Sequence, residues 1–578
     1  AAAYGGYKRQ LQGGEGKTFR PLAYTIAIAM FGSLLYAMIL SPVLSFFILK
    51  EPKGDGEKKE FWMLRLLNRL YEPVITYFVQ NPKMAVWLAG ILIAVGVIIF
   101  PQLGSEFTPK LNEGTIVVRL SMAPSISLKE SKNTTLIVER RLMKIPEITG
   151  VVTRIGRGEI GAHTDPINNA EIYVLLKPKD KWRKNNQADL EMVIREELEN
   201  LPGVLVNITQ PIAMTVDELL EGIRAELAVK LFGDDLDILK EKADEIARVI
   251  GTIPGADDVQ VDQVSGTPQL LITINRNAIA RYGINISDVQ EVIRASVGGE
   301  TAGQIFEGIR RFDILVRLAP KFRNTADAIS NILIQSPDGV DVPLSELAHI
   351  EELVGPRQIT RENNQRFITV QCNVTGRDIG SFVGEAQSAI EKSIELPPGY
   401  LVKWGGQFRL QQEANKRLAV VIPITLIVIF LLLFSNFNSL KNSLLILLNI
   451  PLALVGGVVG LWLTGQNLSV PASVGFIALF GIALGNGMVL LTYMNQLVKE
   501  GISIRTASIS GALLRLRPVL MTALTTALGL LPLLFATGAG SEVQRPLATV
   551  VVGGLVTSTI LTLLVIPALF KWFSDETK

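Results

Sequence analysis

Three carboxylates fall within five residues at Asp217, Glu218 and Glu221. Oxygen ligands of this kind suit divalent cations. If the stretch is helical, i, i+3 and i+4 spacing puts the three on one face. The competing reading is a set of acidic residues in the first turn of a helix, where the dipole favours them. Asp262 and the His163–Asp165 pair are secondary candidates, since a histidine beside an aspartate in a Gly-rich loop is usually just solvated. The chain has two histidines, His163 and His349, too few for a histidine-based metal cluster. Its one cysteine, Cys372, lies in an alternating stretch and reads as a small strand residue. Met122, Met143, Met192 and Met214 are the methionines between residues 102 and 417, and they read as packing residues. No Ser/His/Asp set, phosphate loop or Cys/His cluster appears, so the residues give no enzyme constellation.

These groups must be positioned by a chain of 578 residues with only 19% charged residues. A soluble chain carries about a quarter. The deficit is concentrated in charge-free runs at 21–49, 418–440, 442–498, 518–541 and 546–570. A spanning helix needs roughly 20 apolar residues. Seven spans are predicted, at about 22–49, 82–101, 418–437, 443–464, 470–497, 517–536 and 546–571. The basic loops, with Lys53, Lys58, Lys59, Lys441, Lys499 and Arg505, all fall on one side, which the positive-inside rule makes cytoplasmic. The C-terminus is then cytoplasmic, and residues 1–20 and the large region 102–417 lie outside. Residues 61–78 pattern as an amphipathic helix on the cytoplasmic face, within a linker at 50–81. The net charge of +2 implies no nucleic-acid partner.

Between the spans the hydrophobic period alternates between 2 and 3.6. Strand 115–122, helix 127–144, strands 150–155 and 170–176, helix 188–200 and strand 204–210 follow the order βαββαβ, the ferredoxin-like unit. Ser127 with Glu130 three positions on reads as a capping box. A second unit starts with strand 226–232, helix 236–252 and strands 257–264 and 268–275, and resumes with strand 366–374, helix 380–394 and strand 400–405. The predicted fold is therefore an α-helical polytopic membrane protein with an α+β extracytoplasmic domain of two ferredoxin-like subdomains, the second interrupted by an insert.

Several stretches occur in a familiar order: GGEGKTFRPL at 13–22, GSEFTPKLNEG at 104–114, VDELLEG at 216–222, GFIALFG at 475–481, RLRPVLMTA at 515–523 and TGAGSEVQRP at 537–546. With them the chain resembles the heavy-metal efflux branch of the resistance–nodulation–division superfamily, of the cobalt–zinc–cadmium type. The resemblance runs from about residue 11; residues 1–10 fall outside it. It implies the C-terminal half of a pump in the bacterial inner membrane, with the large domain in the periplasm. Its porter subdomains would be 102–225, and 226–276 with 357–412; residues 277–356 would form the docking subdomain. The family works as a homotrimer with a periplasmic adaptor and an outer-membrane channel protein, and exports divalent cations in exchange for protons. The divalent ion is cargo, and no cofactor is implied.

The resemblance places Asp217, Glu218 and Glu221 at the substrate cleft and Glu113 near its entrance, where a plain turn carboxylate is the alternative. Two positions that carry methionine in the copper and silver branch are Arg119 and Glu218 here, which favours a harder divalent ion. No predicted span carries an acidic residue away from its ends, so the relay carboxylates implied by the family lie elsewhere. Asn486, Thr492 and Asn495 could line a proton path or simply join helices. Two further readings stay open: a non-transporting scaffold or split-gene accessory half, and an exporter of organic compounds. The last would want an apolar cleft, which Asp217 and Glu218 argue against.

Overall fold

The computed structural model describes residues 14–48, 62–156, 165–183, 186–223, 225–264, 266–356, 358–538 and 540–573. Among them seven helices are long and apolar enough to cross a bilayer: Ala27–Ile48, Pro82–Gln102, Gln407–Phe437, Leu440–Leu463, Val470–Lys499, Ile504–Phe535 and Ser541–Phe573. The protein is therefore a polytopic membrane protein carrying a large domain outside the spans. The seventh helix is central; two-thirds of its membrane window (67%) is buried inside the chain, against 6% for the third and the sixth. It reaches its neighbours through small residues. A Cβ added to Gly553 would lie 2.5 Å from the carbonyl oxygen of Gly456 on the fourth helix, so only glycine allows this approach. A Cβ added to Gly481 or Gly485, which repeat the four-residue spacing of Gly456 and Gly460, meets no described atom within 4 Å.

Proline creates a second requirement in the seventh helix. Pro567 has no amide hydrogen, so the carbonyl of Leu563 loses its intrahelical donor. Tyr71 supplies one: its hydroxyl donates to Leu563 O at 2.6 Å. Tyr71 belongs to the amphipathic helix Trp62–Gln80, which also packs Leu67 against the sixth and seventh helices. Buried polar side chains join the spans. Asn449 Nδ2 donates to Thr562 Oγ1 at 2.5 Å and to Ala483 O at 2.9 Å. Thr522 Oγ1 donates to Asn486 Oδ1 at 2.9 Å. Thr492 is exposed and Asn495 half-buried.

Outside the bundle, β1 (Thr115–Met122), β2 (Ile148–Ile155), β3 (Asn169–Leu176) and β4 (Val204–Thr209) form an antiparallel sheet of order β2-β3-β1-β4. Helices α1 (Leu128–Leu142) and α2 (Gln187–Leu198) cover one face, and Ile116, Val118, Leu120, Val138, Leu190 and Ile194 are buried between the layers. Ser127 Oγ accepts from Glu130 N at 3.2 Å, one arm of the predicted capping box; Glu130 itself accepts from Asn133. Helix α3 (Pro211–Glu221) then leads to β5 (Leu227–Phe232), α4 (Leu236–Gly251) and β6 (Ala256–Val261).

The chain next leaves this unit through β7 (Thr267–Ile274). The insert holds an exposed hairpin of β8 (Glu300–Glu307) and β9 (Arg310–Val316), and a short pair, β10 (Leu333–Gln335) with β11 (Asp341–Pro343). It closes with β12 (Ala348–Gly355), which pairs along the whole of β7. The boundary expected at 276/277 therefore cuts through the insert's own base. The physical reason is packing: Leu270, Ile272 and Ile274 of β7 lie against the insert's core. The place of β7 in the second sheet is taken by β14 (Gln365–Val374), which follows the short β13 (Arg361–Glu362) and buries Ile368, Val370 and Cys372. With α5 (Ile379–Ser393) and β15 (Leu401–Gly406) the second sheet reads β6-β14-β5-β15, the same order as the first. Burial pushes the Cys372 thiol up to about 12, in keeping with a packed strand residue. Gly406, at φ 74°, turns β15 directly into the third membrane helix, which therefore begins at Gln407 rather than near 418.

Candidate functional site

The predicted cation ligands sit on α3, where the chain passes from the first sheet to the second. Pro211 at N1 starts this helix, and Gly222 in the left-handed conformation (φ 69°) ends it, its amide bonding to Glu218 O at 2.9 Å. Met214 and Asp217 are buried on one stripe of the helix, while Ile212 and Val216 are exposed. Successive residues on a helix are turned by about 100°. Asp217 and Glu218 accordingly face two different cavities. The side chain of Glu221 and the whole of His163 lie outside the described residues.

Glu218 lines the larger cavity, of about 650 Å³, between the two sheets. Arg119 of β1, Lys230 of β5, Glu362 of β13 and Asp262, just after β6, share it. The two positions singled out by the methionine comparison, Arg119 and Glu218, are thus brought together. No methionine is among the described lining residues. Lys230 Nζ pairs with Glu362 Oε2 at 2.7 Å. Asp262 accepts from Thr369 N at 3.2 Å and Gln371 Nε2 at 3.0 Å. Burial nonetheless holds its carboxyl above the usual carboxylate range. Asp165 also lines this cavity and accepts from Asn169 Nδ2 at 3.4 Å.

Asp217 lines the smaller cavity, of about 240 Å³, near the outer ends of the membrane helices. It accepts from Gln407 Nε2, the first residue of the third membrane helix, at 3.3 Å. Lys110, Glu191, Arg195 and Glu226 are its other charged lining residues. Lys110 Nζ contacts Glu226 Oε1 at 2.8 Å and Val374 O at 2.9 Å. Burial opposes its charge, but Glu226 outweighs this and raises the pKa of the ammonium. Burial also raises Glu191. Sequence periodicity carries no signal for this cluster, because Lys110 precedes the first strand and Glu226 lies in the joint between α3 and β5.

Glu113 is engaged at the start of α3. Its carboxylate accepts from Ile212 N at 2.7 Å and Ala213 N at 2.9 Å, at the start of α3. Among the described residues no three His, Cys, Asp or Glu side chains converge as a metal cluster does. In this conformation the described carboxylates are divided between two cavities.

The chain matches the family model of the AcrB/AcrD/AcrF family over residues 9–574. It is 43% identical over 569 residues to the cobalt-zinc-cadmium resistance protein CzcA of Cupriavidus metallidurans, covering 97% of this chain and 53% of that protein. To the nickel and cobalt resistance protein CnrA of the same organism it is 38% identical over 565 residues, covering 96% and 52%. A crystal structure of a heavy metal efflux pump superposes with a TM-score of 0.85 at 37% identity, covering 96% of this chain and 55% of that one. The chain thus spans about half the length of the relatives it matches. On the strength of these matches the chain belongs to the AcrB/AcrD/AcrF family, and within it to the heavy-metal efflux branch.

Proposed function

We propose that this chain carries the cation-handling part of a proton-driven exporter of divalent heavy-metal ions, with zinc, cobalt, cadmium or nickel as cargo. The observation that carries the reading is the charged cavity between the two sheets, where Glu218 and Arg119 stand and no described methionine does. A thioether-free, carboxylate-bearing lining favours hard or borderline divalent ions over soft monovalent ones. Asp217, Glu218 and Glu221 are the proposed cation ligands. The two α+β units act as ferredoxin-like porter subdomains and the insert as the docking subdomain. The domain faces the periplasm and the C-terminus the cytoplasm, in the inner membrane. Three copies assemble with a periplasmic adaptor and an outer-membrane channel protein.

A second element of the reading concerns energy. The apolar cores of the seven spans hold no acidic residue, Glu413 lying ahead of the apolar run of the third helix, so the proton relay belongs to a complementary half, whether on the same polypeptide or another. Asn486 is bonded to Thr522 between the fifth and sixth helices and lines the proton path from this side, with Thr492 and Asn495 further along. The cargo class is tested by calorimetric titration of the full chain in nanodiscs with Zn²⁺ and with Ag⁺. Tighter binding of Zn²⁺ is expected; tighter binding of Ag⁺ would overturn the assignment.

A further inference from the structure

Helix α3 lacks a cap of its own. Its N-cap residue, Gln210, makes no capping bond, and Pro211 at N1 has no amide to offer. The next two amides, Ile212 N and Ala213 N, would be orphans. Both are taken by Glu113, nearly a hundred residues earlier in the chain, one to each carboxylate oxygen at 2.7 and 2.9 Å. The arrangement is reciprocal, since Glu113 N donates to Gln210 Oε1 at 2.9 Å. A carboxylate at a helix N-terminus also opposes the positive end of the dipole. With each oxygen already committed to an amide, this group is poorly placed to ligate a cation.

The residue beside it points the other way. Asn112 Nδ2 donates to Glu542 Oε1 at 2.8 Å, in the first turn of the seventh membrane helix, and the other Glu542 oxygen accepts from Gly540 N at 3.1 Å. At the far end of the same strap, Leu468 N donates to Gly104 O at 2.7 Å and Asn467 Nδ2 to Glu106 Oε2 at 2.9 Å, just ahead of the fifth membrane helix. Residues 104–113 therefore run from the outer ends of two membrane helices to the start of the helix that carries Asp217 and Glu218. We propose that Glu113 is a positioning residue, not a metal ligand: it caps α3, and through Asn112 and Glu542 it fixes that helix to the top of the seventh span. The inference rests on the cation-handling reading for its purpose, but the capping itself does not.

Hydrogen exchange of the metal-free full chain in nanodiscs separates the two. Glu113→Gln should speed exchange at Ile212 and Ala213 by about tenfold, the loss expected for a charged cap. Glu542→Ala should speed the same amides by a smaller factor, and Asp217→Asn should leave them unchanged. Unchanged exchange in Glu113→Gln overturns the capping role. Unchanged exchange in Glu542→Ala overturns the link to the membrane helix. The second readout is Zn²⁺ affinity. Glu113→Gln should weaken it, and adding Gln210→Ser, a neutral local N-cap in the extended geometry that position already has, should restore it. A lost ligand would not be rescued by serine, so failure of rescue contradicts the positioning role. Absence of Zn²⁺ binding in the wild-type chain would sink the cation-handling reading while the exchange result still decided the fate of the cap.

Discussion

Replacing Gly553 by alanine puts a methyl group 2.5 Å from the Gly456 carbonyl oxygen, backbone against backbone, with no side chain that can turn aside. An ordinary carbon–oxygen contact is about 3.3 Å or more. The fourth and seventh membrane helices must therefore separate by roughly 0.8 Å, and a gap of 0.5–1 Å forfeits about a quarter to a half of the dispersion energy along the contact. Overpacking of this kind costs about 1–3 kcal/mol. The control comes from another glycine-rich membrane helix, the fifth. Gly485→Ala meets no described atom within 4 Å and should be neutral, or stabilise by up to about 1 kcal/mol through helix propensity. Thermal denaturation of the purified chain in detergent, followed by size exclusion of the soluble fraction, measures both. Gly553→Ala should lower the apparent midpoint by several degrees while Gly485→Ala does not. Equal midpoints for the two variants would refute the packing argument.

Tyr71→Phe should destabilise the contact between the amphipathic helix Trp62–Gln80 and the seventh span by about 1–3 kcal/mol, because it leaves the Leu563 carbonyl without a donor; proteolysis within residues 62–80 should accelerate. The paired bonds from Arg183 hold the buried Glu147 carboxyl down to about 2, against 4.5 when unperturbed. Its contribution is therefore fully present above about pH 4.5 and is lost as pH falls toward about 2; denaturant titrations across that window should show the slope, and Glu147→Gln should remove it. Asp262 is raised by burial and lines the same cavity as Glu218, so its protonation removes negative charge beside the proposed ligand and Zn²⁺ affinity should fall as the solution is acidified through its raised pKa. Asp262→Asn should flatten that dependence in calorimetric titrations. Reconstituted alone in proteoliposomes, the chain should show no pH-driven metal flux, and a robust flux would refute the placement of the relay outside it.

Much of the architecture is legible in the sequence, because bilayer thickness and sheet pleating impose periods that a chain must obey. The seven predicted spans overlap the seven long apolar helices, and the two sheets arise from strands placed within a few residues. What periodicity cannot say is which strand pairs with which. β7 alternates as well as β14 does, and only the insert's core decides that Leu270, Ile272 and Ile274 belong there. Glycine spacing misleads for the same reason: Gly456 and Gly481 look alike until the neighbouring helix is placed. At the site, local spacing singles out Asp217 and Glu218 but assigns them one face, whereas the two cavities they serve depend on contacts made by Gln407 and Arg119, far away in the chain. Lys110, Glu226 and the cap from Glu113 are likewise long-range, with no local pattern to announce them.

The central claim is that the carboxylates of α3 hold the cation. Calorimetric titration of the full chain with Zn²⁺, comparing the wild type with the Asp217→Ala/Glu218→Ala variant, tests it most directly. Saturable Zn²⁺ binding is expected in the wild type and should weaken by at least about tenfold in the variant, as when ligands are removed from a site with few others. Equal affinity in the two proteins would contradict it.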